Sequence, residues 1–131
     1  MINVLLGRRV ISNNSKPYII AEIGVNHEGS FDQAIKLIDL AKKGGADAVK
    51  FQSYKANTLA SKNSPAYWDI SKEPTSSQHE LFKKYDSFNK GEYVALAEYC
   101  NNIGIDFLST PFDNDSIDFL EPLMAFYKIA S

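Results

Sequence analysis

The segment from Tyr18 to Ser30 constrains the fold more than any other part of the chain. It begins as an apolar run in which isoleucines surround one acid, Glu22, and it then breaks at glycines before a helix opens. Such a run of β-branched residues is typical of a strand that is buried in a parallel sheet. A carboxylate in this position needs compensation, because an unpaired buried charge is costly. We therefore expect Glu22 to contact a ligand or a cation on a neighbouring strand; the alternative is a purely structural lysine partner.

The residues that follow predict a βαβ unit. Ser30 and Gln33 have the spacing of a helix cap, and the predicted helix ends at Gly44 before a second strand over residues 46–52. Strand, helix and strand within about 35 residues imply that the two strands pair in parallel.

The pattern continues after a long insertion. Asn89 predicts the cap of another helix, which leads to a third strand over residues 105–110. Asp113 predicts the cap of a short helix, and residues 126–131 predict a fourth strand. A complete barrel of this kind needs eight βα units and about 250 residues. The sequence therefore predicts an α/β fold of parallel (β/α) units: the first half of a TIM-type (β/α)8 barrel, truncated after strand 4.

We expect a single domain over residues 1–131. Residues 1–17 predict an N-terminal hairpin with two solvated arginines and a lead-in, and residues 18–131 carry the βα units. The insertion, residues 53–88, contains several aromatic side chains and should emerge at the carboxyl end of a strand. These features favour an ordered lid over a flexible linker.

Composition argues against several classes of function. The chain has 131 residues, a net charge of −2 and no basic stripe, which argues against a nucleic-acid partner. No apolar run approaches the roughly 18 residues of a membrane span, and no signal peptide is evident, so we expect a cytoplasmic protein with no membrane partner. The chain has a single cysteine, Cys100, which excludes an internal disulfide. We expect Cys100 to be a buried packing residue in a helix.

Polar side chains lie near the carboxyl ends of the predicted strands. Alternation along the second strand places Lys50 and Gln52 on one face. Lys50 and Lys128 would converge at the mouth of a parallel barrel and form a site for a multiply charged anion, where the hydroxyls of Thr110 and Ser131 can add hydrogen bonds. The alternative is that each lysine pairs with a structural acid and keeps its ammonium group in water.

Four segments of the chain resemble successive signatures of the sialic acid synthase family. They are Ile20–Gly29 (IAEIGVNHEG), Gly45–Gln52 (GADAVKFQ), Phe107–Phe112 (FLSTPF) and Tyr127–Ser131 (YKIAS). Enzymes of this family condense phosphoenolpyruvate with an N-acetylated amino sugar such as N-acetylmannosamine, release phosphate and form a nonulosonic acid such as sialic acid. The resemblance does not choose among sialic, legionaminic and pseudaminic acid synthases, which share these motifs.

The resemblance implies a role for each polar residue near the strand ends. The residues implied to bind phosphoenolpyruvate are Lys50, Thr110, Lys128 and Ser131. Glu22 and Gln52 are implied to face the open-chain sugar, with Glu22 as the catalytic residue.

The resemblance also implies a divalent metal, Mn²⁺ or Mg²⁺, that positions the sugar aldehyde. The two histidine ligands of the family would lie beyond residue 131, so we expect no metal ligand within this chain and no activity from the chain alone. Its own histidines have no ligand-like spacing. His27 is expected to order the first βα loop or to border the substrate, and His79 to be an exposed residue at a helix start.

Two other functions stay open. A Schiff-base aldolase would use Lys128 or Lys50 as its nucleophile. A non-catalytic half-barrel module would bind anions without turnover.

The predicted half-barrel has two unpaired strand edges, Ile19–Ile23 and Phe126–Ala130. Its inward face, with Ala48, Leu108 and Phe126, would also be open to water. Exposed edges and apolar patches favour self-association, so we expect a homo-oligomer.

Overall fold

The computed structural model describes residues 2–86 and 88–130. The strands in these ranges are β1 (Val4–Leu6), β2 (Arg9–Ile11), β3 (Ile20–Gly24), β4 (Ala48–Ser53) and β5 (Asp106–Pro111). β1 and β2 form an antiparallel hairpin, and the other three form a parallel sheet in the order β3-β4-β5. The predicted hairpin and the predicted parallel βα units are confirmed.

The helices of the described ranges are α1 (Phe31–Lys43), α2 (Ala56–Leu59), α3 (Gln78–Tyr85), α4 (Lys90–Ile103) and α5 (Asn114–Leu120), followed by a 3₁₀ turn over Glu121–Leu123. The Ser30 side chain accepts a hydrogen bond from the Gln33 N–H and so caps α1. Asn89 and Glu92 form a reciprocal capping box at the start of α4. None of the helices in the described ranges combines the length and the apolar character needed to cross a membrane.

One face of the parallel sheet packs against α1 and α4. Val49 and Phe51 of β4 are fully buried there with Ile38 of α1 and Leu96 of α4. Alternation along β4 turns Lys50 to the opposite face. The apolar core therefore lies on one side of the sheet, and the predicted site residues lie on the other.

The opposite face is covered, which corrects the sequence prediction of an open apolar surface. Ala48 and Leu108 are 0% and 1% exposed. Phe126 lines the same cleft as Leu108, and its ring packs edge-on against Tyr18 with the ring centroids 5.7 Å apart. Segments that flank the sheet thus fold back over this face.

The prediction of a fourth strand over residues 126–131 is wrong for the part that the structure describes, because residues 126–130 form no strand. The backbone N–H of Ser109 in β5 donates to the sulfur of Met124 at 3.0 Å. The Met124 sulfur therefore accepts from an N–H group of β5 that a neighbouring fourth strand could have bonded. Further along the chain, the Phe126 ring packs against the Tyr18 ring.

The hairpin is tied to the sheet by its two arginines, which the sequence predicted to be solvated. Arg9 Nη1 lies 2.8 Å from Asp47 Oδ2, and Arg8 Nε lies 3.4 Å from Asp106 Oδ1. The Tyr18 hydroxyl donates to the Asp106 carboxylate at 2.5 Å. Because Asp47 precedes β4 and Asp106 opens β5, the hairpin docks at the amino ends of these strands and leaves their carboxyl ends clear.

The insertion is ordered in its described part, as predicted. Tyr54 is 8% exposed, and its hydroxyl donates to the Phe82 carbonyl at 3.1 Å. The Ser77 side chain caps α3, and a bridge joins Pro65 to Ser77. That the insertion acts as a lid stays a prediction.

Candidate functional site

A cavity of about 260 Å³ opens at the carboxyl ends of the parallel strands. Its lining residues are Glu22, Lys50, Gln52, Thr110, Phe112, Lys128 and Ala130. Five of the six predicted site residues therefore share one cavity. The sixth, Ser131, lies outside the described residues.

The sheet register explains part of this convergence. Glu22 of β3 is paired with Lys50 of β4, and Gln52 of β4 is paired with Thr110 of β5. Paired residues on adjacent strands project from the same face of a sheet, about 4.8 Å apart. Three strand ends therefore present their polar side chains side by side.

Lys50 is the buried cation of the cavity. It is 7% exposed, its Nζ lies 2.5 Å from Glu22 Oε2, and it donates to Thr110 Oγ1 at 3.2 Å. A buried ammonium group needs such partners. The two contacts hold one positive charge at a fixed place in the cavity wall.

Glu22 is not the buried acid that the sequence predicts. Its side chain is 51% exposed, because β3 lies at the edge of the sheet and has a neighbouring strand on the β4 side only. Of the two kinds of partner expected for Glu22, the cation from a neighbouring strand is present. This ion pair also satisfies the structural-lysine alternative, so it does not by itself indicate a ligand.

Lys128 supplies a second cation in different surroundings. Its side chain is exposed, and its Nζ donates to the Ile129 carbonyl at 2.9 Å. No salt bridge joins it to a carboxylate of the described residues. Two lysines and one carboxylate leave the cavity lining with a net positive charge, which favours an anionic ligand.

Gly24 shapes the cavity beside Glu22, and the sequence analysis missed it. It has a φ of +57° at a register shift in β3. A Cβ added there would lie 3.3 Å from Glu22 Oε1 and 3.6 Å from Gln52 Nε2. The two side chains that were predicted to face the sugar therefore lie against one glycine. The available signal was a glycine inside an apolar strand, where it often marks a bulge or a close approach.

His27 lies behind the cavity and does not line it. It is 1% exposed, its Nδ1 accepts a hydrogen bond from the Gly29 N–H at 3.1 Å, and its ring stacks on Phe88 with centroids 4.0 Å apart. The predicted loop-ordering role is confirmed. His79 lies in the first turn of α3, as predicted, but it is partly buried rather than exposed, and its Nε2 lies 2.8 Å from Asn57 Oδ1.

The described residues do not fit a resident metal ion. They include no group of three or more His, Cys, Asp or Glu side chains that could hold one. Within the cavity lining, Glu22 is the one carboxylate, and it is paired with Lys50. A metal ion at this cavity would therefore need ligands from outside the described residues.

Residues 37–131, more than half of the chain, match the NeuB family. The chain belongs to the NeuB family. The resemblance to sialic acid synthases is thereby confirmed, and it is supported by relatives that are themselves synthases of sialic and related acids.

Curated relatives in the NeuB family carry different synthase names. The N,N'-diacetyllegionaminic acid synthase of Legionella pneumophila is 47% identical over 105 residues, which are 79% of this chain and 29% of the relative. A pseudaminic acid synthase of Campylobacter jejuni is 37% identical over 125 residues, which are 92% of this chain and 36% of the relative. The chain spans about a third of the length of the curated relatives that it matches.

A solved structure shows the same fold. The N-acetylneuraminic acid (sialic acid) synthetase of Leptospira borgpetersenii, in complex with citrate, superposes with a TM-score of 0.75 and is 32% identical. The match covers 93% of this chain and 38% of that protein. The parallel βα units described above therefore have the architecture of a NeuB-family enzyme in this region.

Proposed function

We propose that this chain is the N-terminal part of a synthase that condenses phosphoenolpyruvate with an N-acetylated amino sugar and releases phosphate. Its βα units would be the first half of a (β/α)8 barrel in a cytoplasmic enzyme. The observation that carries the proposal is the cavity in which Lys50, Thr110 and Lys128 lie beside Glu22 and Gln52. Barrel enzymes place their active sites at this end of the strands.

The two lysines would bind phosphoenolpyruvate. Lys50 Nζ is held by Thr110 and presents an ammonium group at a fixed position, whereas the exposed Lys128 can adjust to a second anionic group. Ammonium groups form strong charge-assisted hydrogen bonds with phosphate and carboxylate oxygens. Phosphoenolpyruvate carries one of each, so two separate cations suit it. The Ser131 hydroxyl would add a further contact.

Glu22 and Gln52 would contact the amino sugar. In the condensation, C3 of phosphoenolpyruvate attacks the sugar carbonyl, water adds at C2, and phosphate leaves. The half-exposed Glu22 carboxylate can accept a proton from water or a hydroxyl, and the Gln52 amide can hold sugar hydroxyls. The resemblance also implies a divalent metal, whose ligands would have to come from outside the described residues.

Phosphoenolpyruvate binding tests the roles of the two lysines. Lys50→Met and Lys128→Met each remove a hydrogen bond to a charged group, worth about 1.5–3 kcal/mol, so we expect the Kd for phosphoenolpyruvate to rise about tenfold or more in each variant. Lys36→Met, on the exposed side of α1, is a control with the same change of charge. Calorimetry on the three variants measures the effect, and unchanged affinity in both cavity variants would assign the lysines to structural roles.

We expect no turnover from the 131-residue chain alone, even with added Mn²⁺. A site without all its groups loses positioning as well as charge stabilisation. Phosphate release from phosphoenolpyruvate and N-acetylmannosamine should stay at the background rate. Turnover above background would show that the chain or a second copy of it supplies the missing groups.

Binding without turnover also fits the alternative of a non-catalytic anion-binding module. Joining this chain to the remaining two thirds of the Legionella pneumophila relative distinguishes the two, because a synthase predicts phosphate release that depends on the added sugar. The Schiff-base aldolase has less support. Its lysine needs an apolar pocket or a neighbouring cation, whereas Lys50 contacts a carboxylate and Lys128 is exposed.

A further inference from the structure

Three ring side chains connect two parts of the cavity wall from the helix-covered side of the sheet. His27 belongs to the loop after β3, Phe88 precedes α4, and Tyr93 lies in its first turns. The His27 ring stacks on Phe88 at 4.0 Å with an interplanar angle of 16°, and Phe88 meets the Tyr93 ring edge-on at 5.8 Å. We call these three residues the aromatic support.

One end of the aromatic support orders the loop after β3. The His27 Nδ1 accepts the Gly29 N–H at 3.1 Å, so the proton of the neutral ring is on Nε2. Burial lowers the pKa of His27, with the Glu92 carboxylate acting in the opposite direction, and the neutral ring is thereby favoured. The buried Nε2 has no hydrogen-bond partner among the described residues. The His27 ring is therefore positioned by its stacking on Phe88 and by its hydrogen bond from the Gly29 N–H.

The other end of the aromatic support holds the end of β4. The Tyr93 hydroxyl donates to the Gln52 carbonyl at 2.9 Å. Gln52 is a cavity residue, but its backbone carbonyl is reached from behind by a residue that does not line the cavity. The loop after β3 leaves the strand that carries Glu22, so the aromatic support contacts the segments of both residues on the proposed sugar side.

We infer that His27 and Tyr93 are positioning residues that, through Phe88, set where Glu22 and Gln52 stand relative to each other. The expected consequence of this positioning is selectivity for the sugar, and that consequence rests on the proposed function. Disturbing the aromatic support should affect Gln52 and Gly24 most and Lys50 least, because Lys50 keeps its hydrogen bond to Thr110 of β5 on the opposite face of the sheet.

Tyr93→Phe is the most conservative test, since it removes a single hydroxyl from a side chain that keeps its ring contacts. Tyr99→Phe is a matched control on the same helix, where the hydroxyl donates to Asp39 at 2.6 Å away from the cavity. We expect the NMR signals of Gln52 and Gly24 to shift in Tyr93→Phe and to stay in place in Tyr99→Phe. The measurement needs no ligand. If the Gln52 and Gly24 signals had the same positions in both variants, the inference would be overturned.

Ligand titrations of the same variants test the effect on substrate binding. A net hydrogen bond is worth about 0.5–1.5 kcal/mol, so Tyr93→Phe should weaken N-acetylmannosamine binding about two- to tenfold and change phosphoenolpyruvate affinity less than about twofold. Equal losses for both ligands would indicate general loosening and would contradict a positioning role. Wild-type chain that binds no phosphoenolpyruvate would instead count against the proposed function.

His27→Phe is a second variant in case Tyr93→Phe fails to fold. It keeps a ring to stack on Phe88 and removes the acceptor for Gly29, so the Gly29 amide should exchange faster with solvent and the Gly24 signal should shift. In the wild type, the ¹⁵N signals of His27 should show a protonated Nε2 and a bare Nδ1 at neutral pH. A protonated Nδ1, or a Gly29 amide unaffected by His27→Phe, would refute the loop-positioning role.

Discussion

Glu22 and Lys50 form one ion pair, but the two side chains differ in burial. Lys50 is 7% exposed and would be a costly unpaired charge without its partners, whereas the half-exposed Glu22 can turn to water. The pair can therefore open from the Glu22 side when another anion takes the place of the Glu22 carboxylate beside the ammonium group. This asymmetry suits a site in which a fixed cation binds an anion and a movable carboxylate handles protons.

Gly24 offers the sharpest single-residue test of the cavity wall. Its φ of +57° would strain an alanine by about 1–2 kcal/mol, and an added Cβ would press on the Glu22 and Gln52 side chains. We expect Gly24→Ala to lower the free energy of unfolding by about that amount and to weaken N-acetylmannosamine binding. Urea unfolding and NMR titration measure the two effects.

Gly45→Ala is the matched control for this prediction. Gly45 also has a positive φ, +87°, but no atom lies within 4 Å of its added Cβ. It should therefore lose similar stability and keep its ligand affinities. Equal sugar affinity in the two alanine variants would show that Gly24 does not shape the binding site.

The β1–β2 hairpin is held by paired charges at the amino ends of β4 and β5. The Ile19 N–H and the Arg9 guanidinium keep the pKa of Asp47 below its usual range, against the effect of burial. Burial and the Asp106 carboxylate raise the pKa of Tyr18, so its hydroxyl stays protonated and can donate to Asp106. The hairpin thus depends on two carboxylates that belong to the sheet.

Gly7 in the hairpin turn tests how this element docks. Its φ is +52°, and a Cβ there would overlap the Asp106 carboxylate that Arg8 and Tyr18 bond. We expect Gly7→Ala to cost about 1–3 kcal/mol of unfolding free energy beyond the loss in Gly45→Ala, because it adds overpacking to the same backbone strain. Urea unfolding of both variants gives the difference, and equal midpoints would mean that the carboxylate moves aside at no cost.

The sheet as a whole has its edges at β3 and β5 in the described residues. The sequence predicts self-association from an open inward face and two exposed edges, but Ala48 and Leu108 of the inward face are buried. Of those edges, β3 remains, whereas the other edge of the sheet is now β5, whose central residues are buried and whose Ser109 N–H bonds Met124. Next to β3, Ile19 is 52% exposed, and beyond β5, Ile129 is 76% exposed. Exposed edges with apolar neighbours recruit further strands.

We therefore expect the chain to elute as a dimer or a larger species at micromolar concentration. A charge beside an edge strand opposes pairing, so Ile19→Lys should shift the mass toward the monomer. Leu40→Lys is the control, because Leu40 is 63% exposed on α1 and away from the sheet edges. Light scattering on the peak from size-exclusion chromatography measures the mass, and a monomeric wild type would refute the edge argument.

Much of the fold could be predicted because its signals are local. The caps at Ser30 and Asn89 are side-chain bonds to backbone groups three residues away, so they are visible in the sequence. The alternation that puts Lys50 on one face and Phe51 on the other follows from strand geometry alone. The convergence of the polar strand ends then followed from parallel pairing, which the βαβ spacing predicts.

The sequence by itself determined where α1, α4 and α5 start, which strands run parallel and which residues could line an anion site, because each of these depends on neighbours a few positions apart. The tertiary structure alone decided that Glu22 is half exposed, that Met124 bonds the backbone of β5 and that Tyr93 reaches the carbonyl of Gln52. These outcomes depend on which strand lies at an edge and on which distant segment covers it. Contacts between residues far apart in the chain leave no periodic pattern along it, so only the folded molecule reveals them.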